Sequence, residues 1–153
     1  MRVVVAVVGK PRDRNLAAAI DEYETRAMRY WPLAVAEVRE ASGRGVTPAE
    51  AKLREGARLL ERVPEGALLL ACDERGDRLT SADFAALLTQ ARDAARDVAF
   101  VVGGAFGLDD AVRRAGRSLQ LAPWTLPHEL ARLVLAEQLY RAGTIARGEP
   151  YHK

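Results

Sequence analysis

Short apolar runs alternate with stretches of helical spacing from one end of the chain to the other. Val3–Val8 is unbroken apolar sequence closed by Gly9-Lys10-Pro11, the pattern of a strand buried on both faces. Helical spacing runs from Asp13 to Arg29, and Pro32 stops it before a second strand, Leu33–Val38. Ser42-Gly43-Arg44-Gly45 is a turn or loop. Thr47 then caps a helix that takes Pro48 at its first position and reaches about Arg62. Pro64-Glu65-Gly66 precedes a third strand, Ala67–Cys72, and Thr80 or Ser81 caps a helix to about Ala95. A fourth strand, Asp97–Val102, runs straight into Gly103-Gly104. A short helix over about Asp109–Ala115, a fifth strand over Ser118–Leu121 and a last helix from Pro127 follow.

This alternation predicts an α/β fold, a mostly parallel sheet flanked by helices on both faces. Neither a linker, a charge block nor a repeat divides residues 1–153, which reads as a single domain burying roughly two-thirds of its unfolded surface. In such sheets ligands sit beyond the carboxyl ends of the strands. Three loops leave those ends in the C-terminal half: Asp73-Glu74-Arg75-Gly76, Gly103-Gly104-Ala105-Phe106-Gly107, and Ala122 to Pro127. If they converge, they form one pocket.

Charge changes the picture little. The 23 basic and 21 acidic residues leave a net charge of +2, far from the strongly basic balance of many nucleic-acid binders. Twenty of the basic residues are arginine, whose planar fork suits phosphate, so an RNA partner is permitted without being required. The single cysteine, Cys72, excludes an internal disulfide and fits a reducing, cytoplasmic setting. The apolar run at the N-terminus is too short to span a membrane, and no cleavage-type region follows it.

Each loop supports a functional and a plain reading. The glycines of Gly103-Gly104-x-x-Gly107 let a ligand reach backbone N–H groups, but they equally suit a tight strand-to-helix turn. The spacing is neither that of a dinucleotide fingerprint nor that of a P-loop. Asp73 and Glu74 suit ribose hydroxyls or a solvated turn; a metal lacks a third ligand at helpful spacing. Ala122-Pro123-Trp124-Thr125-Leu126-Pro127 is stiffened by two prolines and can hold backbone groups against a ligand's base, or simply join the last helix.

The chain end concentrates proton-transfer chemistry. Both histidines, His128 and His152, lie in the last thirty residues or so, with Tyr151 and Lys153 beside the second. His128 at a helix start sits beside the positive end of the dipole, which favours its neutral, proton-accepting form. Arg132 shares its helix face and suits a phosphate. Glu137, set among Leu133, Val134, Leu135, Ala136, Leu139 and Tyr140, suggests a packed homodimer interface with an arginine across it. A frayed tail is the plain alternative.

Taken in order, Asp73-Glu74-Arg75-Gly76, Gly103-Gly104-x-x-Gly107, Thr125-x-Pro127-His128-x-Leu130-x-Arg132, Glu137-Gln138-Leu139-Tyr140-Arg141-Ala142 and Pro150-Tyr151-His152-Lys153 resemble one family. It is that of the small bacterial methyltransferases, of the knotted SPOUT class, that modify N3 of a pseudouridine in 23S rRNA. The resemblance covers the whole chain and implies S-adenosyl-L-methionine as methyl donor, held in a C-terminal trefoil knot. It places the cofactor at Cys72, Gly104 and the loop Ala122, Pro123, Trp124, Thr125, Leu126 and Pro127. It also implies 23S rRNA in the ribosome as partner, and a homodimer with the tail of one subunit near the cofactor of the other. Neither metal nor membrane is implied. Two positions depart from the family's pattern: Cys72, where leucine is common, and Ala105, where proline is usual.

Methylating N3 of a pseudouridine requires loss of an imide proton and stabilisation of the charge that develops. His128 is the candidate to orient or deprotonate the base. Tyr151 and Lys153 are expected to place the nucleotide, with His152 as a second base and Arg132 on the substrate. A knotted methyltransferase acting on tRNA and a non-catalytic nucleotide- or RNA-binding module are the rival readings.

Overall fold

A computed structural model describes residues 1–152; Lys153 lies outside the described residues. Five parallel strands form one sheet in the order β2-β1-β4-β3-β5: β1 Val3–Val8, β2 Leu33–Val38, β3 Leu68–Arg78, β4 Val98–Val102 and β5 Arg117–Gln120. The continuous apolar runs of β1 and β4 have a physical reason, since both their faces are covered. Val3, Val5 and Val7 join one core cluster while Val4, Ala6 and Val8 join the other. β4 divides the same way, with Val98, Phe100 and Val102 on one face and Ala99 and Val101 on the other.

The helices follow their caps. α1, Arg14–Ala27, starts at Asp13, whose side chain accepts from the N–H groups of Asn15 and Leu16. α2, Pro48–Leu60, has Thr47 and Glu50 in a reciprocal capping box, with Pro48 where its missing N–H costs nothing. α3, Ser81–Asp93, repeats that device with Thr80 and Asp83. α4, Asp110–Arg114, is capped by Asp109. α5, His128–Ala146, packs against α1 and α3. Helix α5 begins one residue later than expected, because Pro127 keeps an extended ψ of 142° and serves as the N-cap residue.

β3 departs from expectation more. It does not end at Cys72 but continues through Asp73-Glu74-Arg75-Gly76 to Arg78. Cys72 and Asp77 both face Leu119 of β5, so the residues between them bulge out of the ladder. Gly76 returns the strand to the sheet: a Cβ there would lie 2.5 Å from the backbone of Leu119. Among the described residues, no helix is long and apolar enough to cross a membrane.

Candidate functional site

The three C-terminal loops converge. Together with the start of α5 they line a cavity of about 480 Å3 at the carboxyl ends of β4 and β5, beside the bulge in β3. Cys72, Asp73, Glu74 and Arg75 form one wall, Gly103 to Leu108 a second, and Leu121, Ala122, Trp124, Thr125, Leu126 and His128 a third. Lys52 of α2 and Arg113 of α4 also reach it. Neither had a signal in the sequence, because each comes from a helix remote in the chain and is one of many basic residues.

Gly103 and Gly104 are required by protein packing. A Cβ on Gly103 would stand 2.6 Å from the Gly107 carbonyl carbon, and one on Gly104 would stand 2.8 Å from Glu55 Oε2. The turn closes with the Gly107 N–H donating to the Gly104 carbonyl at 3.0 Å. Behind it, Glu55 is buried; its Oε1 accepts from the Ala41 N–H at 2.9 Å, while its Oε2 has no partner among the described residues.

The wall from β3 is electrostatically set. Burial opposes the charge of Asp73, but hydrogen bonds from the Arg75 side chain and backbone, with the charges of Arg75 and Arg113, outweigh it and hold the carboxyl below its usual range. Glu74 accepts a hydrogen bond from the Thr125 hydroxyl, tying the first loop to the third. Gln120 reinforces that link by donating to the Glu74 carbonyl. Burial pushes the Cys72 thiol up to about 12, so it lines the wall as a neutral group.

His128 opens α5 with its imidazole at the cavity edge. Its Nε2 lies 3.9 Å from Glu129 Oε1, which in turn accepts from the Arg12 N–H at 3.0 Å. No side chain caps this helix start. Its first N–H groups therefore point out of the helix and favour a negative group near the cavity.

Arg132 does not behave as expected. It is buried, with Nε 2.8 Å from Glu24 Oε1 and Nη1 2.8 Å from Glu37 Oε1. Two carboxylates already neutralise it, so it fastens α5 to α1 and β2 instead of offering its fork to a phosphate. Glu137 is likewise engaged within the chain, accepting from Arg141 at 2.7 Å and from the Tyr151 hydroxyl at 3.0 Å.

The tail folds back along α5. The Tyr151 ring packs on Tyr140 with centroids 4.6 Å apart, beneath the Arg141 guanidinium, and His152 Nδ1 lies 3.4 Å from Arg141. Burial, with hydrogen bonds to Tyr23 and Glu137, raises the Tyr151 hydroxyl above its ordinary range. These contacts lie nine to thirteen residues beyond His128, roughly 14–20 Å along the helix axis. Within one chain, then, the cavity gathers Cys72, Gly104, Ala122, Trp124, Thr125, Leu126 and His128, whereas Tyr151 and His152 pack at the far end of the helix.

A family model described as "Predicted SPOUT methyltransferase" matches residues 1–152. The chain belongs to the SPOUT methyltransferase family. Proteins named "Ribosomal RNA large subunit methyltransferase H" are similar to it over nearly their full lengths. The one from Gemmatimonas aurantiaca is 58% identical and aligns over 100% of both chains. Those from Pelobacter propionicus and Geobacter metallireducens are 44% and 46% identical over 99% of each chain. A solved structure of a probable methylase family protein from Haemophilus influenzae shares the fold, with a TM-score of 0.58 at 16% identity, covering 99% of this chain and 70% of that one. The fold is thus a SPOUT α/β fold, and the protein is a methyltransferase.

Proposed function

We propose that this methyltransferase transfers a methyl group from S-adenosyl-L-methionine to N3 of a pseudouridine in 23S rRNA, acting on the assembled ribosome as a homodimer. The single observation that carries this reading is the cavity. It brings the glycine turn, the Glu74–Thr125 pair and His128 to one place beside the bulge of β3 and the carboxyl ends of β4 and β5. The names and full-length alignment of the relatives support an rRNA substrate.

The lining fits the cofactor. Its volume lies within the range of about 300–1,000 Å3 found for small-molecule sites. Val102, Leu108, Leu121 and Leu126 give apolar surface for a purine. The loop from Ala122 to Pro127 would hold the purine through its backbone groups, the turn at Gly104 and the wall at Cys72 would bound it, and Glu74 would meet ribose hydroxyls. When bound, S-adenosyl-L-methionine supplies a methyl group on a positively charged sulfur, an electrophile that needs no metal.

The protein's task is then to place the base and manage its proton. N3 of a pseudouridine is a protonated imide nitrogen and attacks only as that proton leaves. His128 stands at the cavity edge to orient the base or accept the proton. Tyr151, His152 and Lys153 of a second copy would complete the site, since the tail of a chain packs away from that chain's own cavity. The partly buried Leu130, Leu133 and Val134 on α5 support such pairing.

Incubating the protein with labelled S-adenosyl-L-methionine and ribosomes from a strain lacking it tests this reading. Label in large-subunit RNA is expected. Label on tRNA instead would keep the enzyme and discard the substrate, and label on neither would contradict the proposal.

A further inference from the structure

We propose that Trp124 and Phe106 form a stacking platform at the mouth of the cavity for the unpaired nucleobases that flank the target nucleotide. This rests on the RNA reading of the site given above. Among the described residues, four large apolar side chains stand out in solvent, and these two both line the cavity. Trp124 is 74% exposed and Phe106 54%. The Trp124 ring is thus turned outward, while Leu121 and Leu126 of the same segment supply apolar lining and are only partly exposed.

Each ring sits on a constrained loop. Phe106 occupies the turn closed by Gly104 and Gly107, and that turn is packed so tightly that Gly103 has no room for a Cβ. Trp124 follows Pro123 and precedes Thr125, whose hydroxyl is tied to Glu74. Side chains held this way lose little freedom when something docks on them. A wide apolar ring held in water on a fixed loop is a binding feature in search of a flat partner.

The chemistry of the site names that partner. A base that enters the cavity must leave its stack, and its neighbours then lose a stacking partner on that side. Aromatic rings beside the entrance restore the lost contact and accept any base, since every base has a π-face. Lys52, on the same cavity, gives the connecting phosphates a cation.

The chain's other tryptophan, Trp31, is 1% exposed, with its indole N–H donating to the Leu139 carbonyl at 2.9 Å. Emission changes on adding RNA therefore report Trp124. The test combines steady-state transfer to unmodified ribosomes by Trp124→Ala, Trp124→Phe and Phe106→Ala with a low-salt emission titration using a short single-stranded RNA. Trp124→Ala and Phe106→Ala are each expected to raise KM for ribosomes about tenfold, the order set by loss of one stacked base. Trp124→Phe is expected to recover most of the loss. RNA should quench the wild-type protein and leave Trp31 emission in Trp124→Phe unchanged. An unchanged ribosome KM in Trp124→Ala, or a rise in KM for the cofactor instead, would overturn the platform. Should the wild-type protein transfer nothing to ribosomes, the ribosomal substrate of the proposed function fails separately. The titration then still decides the platform, with quenching upholding it and its absence removing it.

Discussion

The Tyr151 hydroxyl donates to Glu137 Oε1 at 3.0 Å, on the same carboxylate oxygen that receives the Arg141 guanidinium at 2.7 Å. This contact holds the tail against the far half of α5, away from the cavity at the helix start. In the proposed homodimer, the tail would serve the neighbouring subunit's cavity.

Complementation between two damaged chains is the first prediction. His128→Ala homodimers and homodimers lacking residues 151–153 should each bind S-adenosyl-L-methionine and transfer poorly. Mixed in equal amounts and allowed to exchange subunits, they should regain about a quarter of wild-type turnover, because half the dimers pair one intact cavity with one intact tail. No recovery after confirmed exchange would place the tail outside the partner's site.

Arg132 is predicted to be structural. Arg132→Ala leaves Glu24 and Glu37 without their shared cation, which should cost about 3 kcal/mol in denaturant unfolding, at the low end for a broken buried pair because Glu37 keeps some access to water. Arg132→Met with Glu24→Gln should recover part of that loss. A stable Arg132→Ala protein with weakened RNA binding would restore the phosphate-binding role.

The Glu74–Thr125 hydrogen bond joins two loops of the cavity. Thr125→Val should raise the dissociation constant for S-adenosyl-L-methionine, measured by calorimetry, about tenfold through loss of one charge-assisted hydrogen bond and its ordering of the loop. Unaltered affinity would mean that the loops hold their places without it.

Cys72 makes a pH prediction whose sign is fixed by its burial. Its folded pKa is about 12 against an ordinary value of 9.0. Below the ordinary value the thiol is neutral in both states and stability is unaffected. Above it the unfolded chain releases a proton that the folded chain keeps, so stability should fall as pH rises through 9 toward 12. Melting curves of wild type and Cys72→Ala should converge with rising pH, and parallel curves would contradict the assignment.

Much of this architecture is legible in the residues themselves. Strands buried on both faces read as unbroken apolar runs, and Thr47, Thr80 and Asp13 announce their helices by side-chain chemistry that acts within three residues. The polar tetrad after Cys72 looks like a turn because it leaves the ladder. The pairing of Asp77 with Leu119 and of Arg78 with Gln120 reveals that the strand resumes. Partners distant in the chain were illegible for the same reason. Arg132 meets Glu24 across 108 positions and Glu37 across 95, and no local pattern says that an arginine on a helix face will be neutralised from two other elements. The convergence of the three loops, by contrast, follows from parallel strand order, which gathers carboxyl ends on one edge.

The most direct test maps the product. Large-subunit RNA from ribosomes treated with the protein and S-adenosyl-L-methionine is digested to nucleosides and fragments, and the methylated position and ring atom are identified by mass spectrometry. A single pseudouridine bearing its new methyl on N3, absent when His128 is alanine, is the predicted result. A methyl on a ribose oxygen, on another base, or undiminished by His128→Ala would contradict it.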